Sequence, residues 1–117
     1  MSREDFLNEV DRLLVSMGFI KKDDYWECIR QTTQQTQQII VNGQVMNSPP
    51  VQITNIFQIS DMGVGYITNS DDSNQYIFEQ FHYKIFQNNV EIYSMMECVN
   101  LEDSPEVVID ILKSIRA

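Results

Sequence analysis

The segment VQITNIFQIS, residues 51–60, carries apolar residues at alternate positions from Val51 to Ile59, with a single interruption at Asn55. The positions between them are mostly polar. Successive side chains of a β-strand point to opposite faces, so this spacing predicts a strand with one face in a core and the other in water. Such a strand needs neighbours, and the sequence on both sides of it supplies them.

Upstream, the aromatic and β-branched run from Tyr25 to Thr33 favours a strand. Residues 39–41 and 44–46 flank Asn42-Gly43, the pair that type I′ turns prefer, so they predict a β-hairpin. Pro49-Pro50 ends this unit because proline cannot donate to a central strand ladder.

Between these strands lies the polar run QTTQQTQQ, residues 31–38. It fits a solvent-exposed strand segment or hairpin end. The alternative is a strand edge that is available for pairing with an added strand.

Downstream, residues 61–65 contain two glycines and predict a turn, after which residues 66–68 begin another strand. Residues 75–86 also share an apolar helical face, but their Tyr, Phe and Ile content favours a strand. Gln87-Asn88-Asn89 then predicts a turn into a last strand over residues 90–99.

The clearest helical pattern lies at the N-terminus, where residues 3–17 are predicted to form an amphipathic helix. Ser2 is suited to cap its first amides, and Gly18 to take a left-handed conformation after its last turn. The apolar stripe consists of Phe6, Leu7, Val10, Leu13, Leu14 and Met17.

A second helix is predicted to begin at Ser104-Pro105-Glu106, which combines a capping hydroxyl, a proline and a first-turn carboxylate. Its apolar stripe consists of Val108, Ile111, Leu112 and Ile115. The sequence therefore predicts one α+β domain over residues 1–117, with an N-terminal helix, a central antiparallel sheet of five or six strands, and a C-terminal helix packed on the sheet. Sequential hairpins are the simplest topology.

Charge separates the classes of partner. The 117 residues include 17 acidic and 8 basic ones, for a net charge of −9. Nucleic acid and anionic membrane surfaces should repel such a chain, whereas a basic protein should attract it. No long apolar run, signal peptide or cysteine framework is seen in the sequence, so we expect a soluble, cytoplasmic protein.

Few residues in the sequence form patterns typical of catalytic, cofactor or metal sites. No glycine-rich phosphate-binding motif occurs, so we expect no cofactor. Asn69, Asp71, Asp72 and Asn74 offer oxygen ligands but lack the spacing and closing Glu of an EF-hand, so we expect no metal. His82 with Cys28 or Cys98 is the one pairing that could serve a small cysteine-dependent enzyme.

These observations favour a non-enzymatic protein-binding module, acting as an acidic inhibitor or adaptor of a basic protein partner such as an enzyme that binds nucleic acid. The candidate partner-binding residues are Asp71, Asp72, Glu102 and Asp103. The alternatives are a chaperone-like homodimer that holds an extended peptide, a structural subunit of a larger or viral assembly, and the cysteine enzyme.

Overall fold

The structure, a computed structural model of the chain, describes residues 2–34, 38–68 and 75–116. The predicted α+β fold, with a helix at each end of an antiparallel sheet, is confirmed. In chain order the described elements are α1 (Arg3–Ser16), β1 (Ile20–Lys21), β2 (Tyr25–Gln34), β3 (Gln38–Val41), β4 (Gln44–Asn47), β5 (Val51–Thr68), β6 (Gln75–Gln87), β7 (Val90–Asn100) and α2 (Glu106–Arg116).

Both helices have the end signals that the sequence predicted. The Ser2 hydroxyl accepts a hydrogen bond from the backbone N–H of Asp5 at 3.1 Å, and Gly18 adopts a φ of +95° after α1. At the other end of the chain, the Ser104 hydroxyl accepts from the backbone N–H of Glu106 at 3.3 Å. Each cap satisfies an amide that a helix leaves without a partner in its first turn.

The main sheet has the strand order β1-β2-β5-β6-β7, with every neighbouring pair antiparallel. The central strand is β5, which pairs with β2 along residues 51–60 and with β6 along residues 55–68. Sequential hairpins connect β5, β6 and β7, but β2 pairs with β5 rather than with β3. The reason is that β3 and β4 leave the sheet as a separate two-stranded ribbon.

The predicted turn at residues 61–65 is wrong, because β5 continues through it to Thr68. The glycines serve a β-bulge instead. The register shifts between Asp61 and Gly63, where the Asp61 carboxylate accepts the Gly63 N–H at 3.0 Å and Gly63 adopts a φ of +102°. A bulge accommodates one extra residue, so the strand bends locally but continues to pair with its neighbour.

The core lies between the two helices and one face of the sheet. Trp26, Ile59 and Tyr83 sit opposite one another on β2, β5 and β6, and all three are buried. Trp26 Nε1 donates to the Asp11 carboxylate at 2.8 Å, which links β2 to α1. The Tyr83 hydroxyl donates to the Val108 carbonyl at 3.0 Å, which links β6 to α2, and burial raises the pKa of Tyr83 well above its usual range.

The β3–β4 ribbon, residues 38–47, projects from the sheet and is here called the arm; the rest of the described structure is the body. Its turn is the one predicted, with φ values of 52° at Asn42 and 76° at Gly43. The molecule consequently measures 72 × 31 × 21 Å, with a radius of gyration of 19.9 Å. A compact chain of this length would have a radius of gyration of about 13 Å.

Candidate protein-binding surfaces

The helices cover only one face of the sheet, and the opposite face is here called the open face. It is formed by the residues that alternate with the core positions, and each of them is at least partly exposed. On the four longer strands the open face carries Tyr25, Glu27, Ile29, Ile56, Gln58, Ser60, His82, Lys84, Phe86, Ser94 and Met96. It mixes apolar and polar groups.

The open face holds the single histidine. His82 Nε2 lies 2.7 Å from the Ser94 hydroxyl, on a neighbouring strand. Within the described residues, no carboxylate hydrogen-bonds the other ring nitrogen, which a serine nucleophile would need to orient its base. The pair links β6 to β7.

The two cysteines lie on different faces of the sheet. Cys28 is buried on the helix-covered face, where it is opposite Phe57. Cys98 is exposed and sits opposite Gln80 on the open face, one pair along from His82. Cys28 is therefore separated from His82 by the sheet itself, and only Cys98 shares its face.

One carboxylate is fully buried. Glu79 on β6 has no exposed surface, and it accepts hydrogen bonds from Arg3 Nε at 2.9 Å and from Arg3 Nη2 at 2.8 Å. Arg3 Nη2 also contacts Asp61 at 3.1 Å. Burial raises the pKa of Glu79, hydrogen bonding from Arg3 opposes that rise, and the neighbouring Asp61 adds to it. This cluster fastens the start of α1 to the sheet.

A cleft of about 340 Å³ separates α1 from α2. Leu13 in α1, Met17 just after α1 and Ile109 in α2 provide its apolar lining. Glu106 and Asp110, one helical turn apart on α2, add carboxylates, and the remaining lining residues are Ser16 and Lys113. A cleft of this composition suits a side chain with an apolar stem and a cationic end.

Two of the four predicted partner-binding residues lie within the described part of the chain. Glu102 and Asp103 lie exposed in the turn between β7 and α2, with their backbone N–H groups bonded to the Asn100 side chain and carbonyl. Asp71 and Asp72 lie outside the described residues, as do Asn69 and Asn74. In the sequence Glu106 is only a helix-start signal, and no local pattern singles out Asp110. The α1–α2 packing is what brings these two into the cleft.

Four carboxylates are thus concentrated in nine residues at the start of α2: Glu102, Asp103, Glu106 and Asp110. All four are exposed, and none forms a hydrogen bond or salt bridge within the described part of the chain. Several other carboxylates are already engaged, such as Asp11 with Trp26 and Glu27 with Gln58 at 2.9 Å. The four carboxylates in and just before α2 are therefore available to cationic side chains of a partner.

At the opposite extreme, residues 31–60 contain no charged residue at all, so the whole net charge arises elsewhere in the chain. This run includes the arm, where Ile40 is 77% exposed and Val45 64% exposed. The uncharged run is visible in the sequence, and the fold divides it between the end of β2, the arm and the first part of β5.

Among the described residues, no three His, Cys, Asp or Glu side chains come close enough together to hold a metal ion. Neither described helix has the length and apolarity to cross a membrane.

Comparisons with known proteins give no relative from which to argue: no family model, no curated protein and no solved structure matches this chain.

Proposed function

We propose that the protein is a non-enzymatic protein-binding module, an acidic inhibitor or adaptor that engages a basic protein partner at the α1–α2 cleft. The observation that carries this proposal is the concentration of four exposed carboxylates in and just before α2, namely Glu102, Asp103, Glu106 and Asp110, of which Glu106 and Asp110 line the cleft and none forms a salt bridge among the described residues. The rest of the molecule supplies a rigid mount for them.

Rigidity matters because a preorganised charged surface loses less entropy on binding. The floor of the cleft belongs to the core: Ile109 is 7% exposed, and its helix is fixed to β6 by the bond from Tyr83 to Val108. Glu106 and Asp110 are thus held on a helix, and Glu102 and Asp103 lie in the turn that leads into it.

The chemistry selects lysine and arginine side chains of the partner. Their methylene stems can lie on Leu13 and Met17, and their charged ends can reach Glu106 or Asp110. Glu102 and Asp103 extend the acidic surface past the N-terminus of α2, where they also complement the helix dipole. A surface of this kind favours fast, salt-sensitive association.

The proposal is tested with a fluorescent peptide of alternating arginine and leucine as a stand-in for the basic partner, titrated at several salt concentrations. We expect binding that weakens with salt. The paired change Glu102→Gln with Asp103→Asn, and the paired change Glu106→Gln with Asp110→Asn, should each weaken binding by about tenfold, or about 1.4 kcal/mol.

The matched control is Asp23→Asn with Asp24→Asn, which removes the same two charges from an exposed bend between β1 and β2. It should leave affinity within about twofold, a difference below 0.5 kcal/mol. An equal loss in the control would mean that the peptide senses only net charge, and the cleft would no longer be the binding site. Salt-independent binding would also contradict the proposal.

A further inference from the structure

The outer edge of β2 is largely unpaired. β1 pairs with β2 only at Trp26 and Glu27, so from Cys28 to Gln34 no described strand lies on that side. The arm follows in the chain and continues the β2–β5 ribbon away from the body. Unpaired N–H and C=O groups along such an edge are a template for another strand.

The other edge of the sheet, β7, is protected differently. Its 11 residues include two carboxylates, Glu91 and Glu97, and charges on an edge strand discourage pairing with a like strand. The unpaired part of β2 carries one charged residue, Arg30, whereas its last residues, 31–34, and β3, residues 38–41, carry neither a charge nor a proline. None of the usual devices against strand addition is present in these two described segments.

The arm also lacks the burial that would stabilise it. Every residue of β3 and β4 is exposed, including five large apolar ones: Ile39, Ile40, Val41, Val45 and Met46. An isolated two-stranded ribbon is marginal in water, and three or more strands with a buried face are needed for stability. The arm therefore fits a state in which a further strand and apolar surface lie against it.

We propose that a second copy of this chain supplies that strand, through antiparallel pairing of the two β2 edges about a two-fold axis. In this arrangement the arm of each copy runs alongside β2 of the other, and every contact is repeated by symmetry. Each copy contributes an edge and an arm, so both unpaired features are covered at once.

The charge distribution permits this occupant, because Arg30 is the single charged residue from Cys28 to Gln34. Two bodies that each carry a share of the −9 charge repel one another, with a screening length of about 8–10 Å. Pairing through the uncharged residues 31–34 keeps the bodies at opposite ends of the joined sheet. A basic partner would gain no ion pair here, so this surface is independent of the proposed function.

Side chains along the β2 edge can also form hydrogen bonds with side chains of the same types on the second copy. Gln52 Nε2 donates to Gln31 Oε1 at 2.8 Å across the β2–β5 pair. The exposed Gln and Thr side chains of two copies can repeat such bonds across the two-fold axis.

The test is the mass in solution, measured by sedimentation equilibrium and light scattering over a wide range of concentrations. Elution volume is unsuitable because the elongated monomer would appear large. We expect the wild type to rise from the chain mass of 13.7 kDa to twice that value. The double variant Thr33→Lys, Ile40→Lys should raise the dimer dissociation constant by at least about tenfold. Both sites are exposed, and Thr33→Lys alone leaves the arm intact if the double variant unfolds.

Ile92→Lys is the control, since it places the same charge at a site on β7 that is 56% exposed. It should dimerise like the wild type. A wild type that stays at the chain mass at every concentration would overturn the proposal, and so would dissociation by Ile92→Lys with the Thr33→Lys variant still dimeric. A monomer that instead binds an extended apolar peptide at β2 would assign the edge to a foreign strand, which also overturns it.

Discussion

The sheet beneath α1 and α2 and the arm beyond it are built from the same kind of residues, yet they differ in what those residues contact. In the body, Ile59 is fully buried, whereas Ile40 in the arm is 77% exposed. Burying an aliphatic side chain stabilises a fold by about 1.5–3 kcal/mol, so the body is held by its own packing and the arm is not. Charge differs in the same direction, because the arm, residues 38–47, contains no acidic or basic residue and the whole net charge arises outside it. The arm therefore gains no burial from the described part of its own chain, which is why a second copy is proposed to cover it.

The largest test of this contrast compares truncations in the two regions. Phe81→Ala, at a fully buried site, should lower the free energy of unfolding by about 3–5 kcal/mol because it leaves a cavity. Ile40→Ala should change it by less than about 0.5 kcal/mol. Urea unfolding followed by circular dichroism, at concentrations low enough to keep the chain monomeric, measures both. Similar losses would mean that the arm belongs to the same cooperative unit as the body.

A second test uses two glycines in equivalent conformations. Gly63 in the β5 bulge and Gly43 in the arm turn both have positive φ, and a Cβ at either would meet nothing within 4 Å. The strain of alanine at such a φ is about 1–2 kcal/mol at each site. Gly63→Ala should lower global stability by that amount, whereas Gly43→Ala should leave the global transition unchanged and disturb only the local turn. Equal global losses would contradict the division.

The smallest expected effect concerns pH, since a buried carboxylate occurs only in the body among the described residues. The folded-state pKa of Glu79 is raised above its ordinary value of 4.5, mainly by burial. Protonated Glu79 therefore favours the fold, and this stabilisation is lost as the pH rises through the folded pKa.

Relative to Glu79→Gln, the wild type should accordingly lose stability as the pH rises from below 4.5 to neutral, by about 1.4 kcal/mol for each unit by which the folded pKa exceeds the unfolded one. Urea unfolding of both proteins across this range measures the difference, in which the other carboxylates cancel. The exposed change Glu102→Gln should show no such trend. If the wild type instead gained stability with pH, the Arg3 bond rather than burial would dominate.

Much of the fold follows from local sequence signals that allow only one backbone conformation. The apolar stripe of α1, its Ser2 cap and the Asn42-Gly43 and Asn88-Asn89 turns all act over a few residues, and the structure has each of them. The sequence predicts a turn at residues 61–65 where the structure has a bulge, because glycine permits a positive φ in both kinds of structure. Only the pairing of Asp61 and Gly63 with β6 distinguishes the two.

The candidate site was less accessible to sequence reasoning. Glu102 and Asp103 stand out as charged residues before a predicted helix, but the cleft that Glu106 and Asp110 line depends on how α2 packs against α1. Similarly, the uncharged run is visible in the sequence, while its meaning comes from β2 pairing with β5 and leaving the outer edge of β2 unpaired. Long-range packing, rather than residue identity, supplied both surfaces.

The most direct test of whether a second copy covers the arm is amide hydrogen exchange at low and high protein concentration, because it reports on the arm and the body in the same sample. Peptides from β6 should be equally protected at both concentrations, since the body folds alone. Peptides from residues 28–34 and from the arm should exchange rapidly in the dilute sample and become protected in the concentrated one. Protection of the arm that is the same at both concentrations would show that the ribbon needs no second copy and would contradict this account.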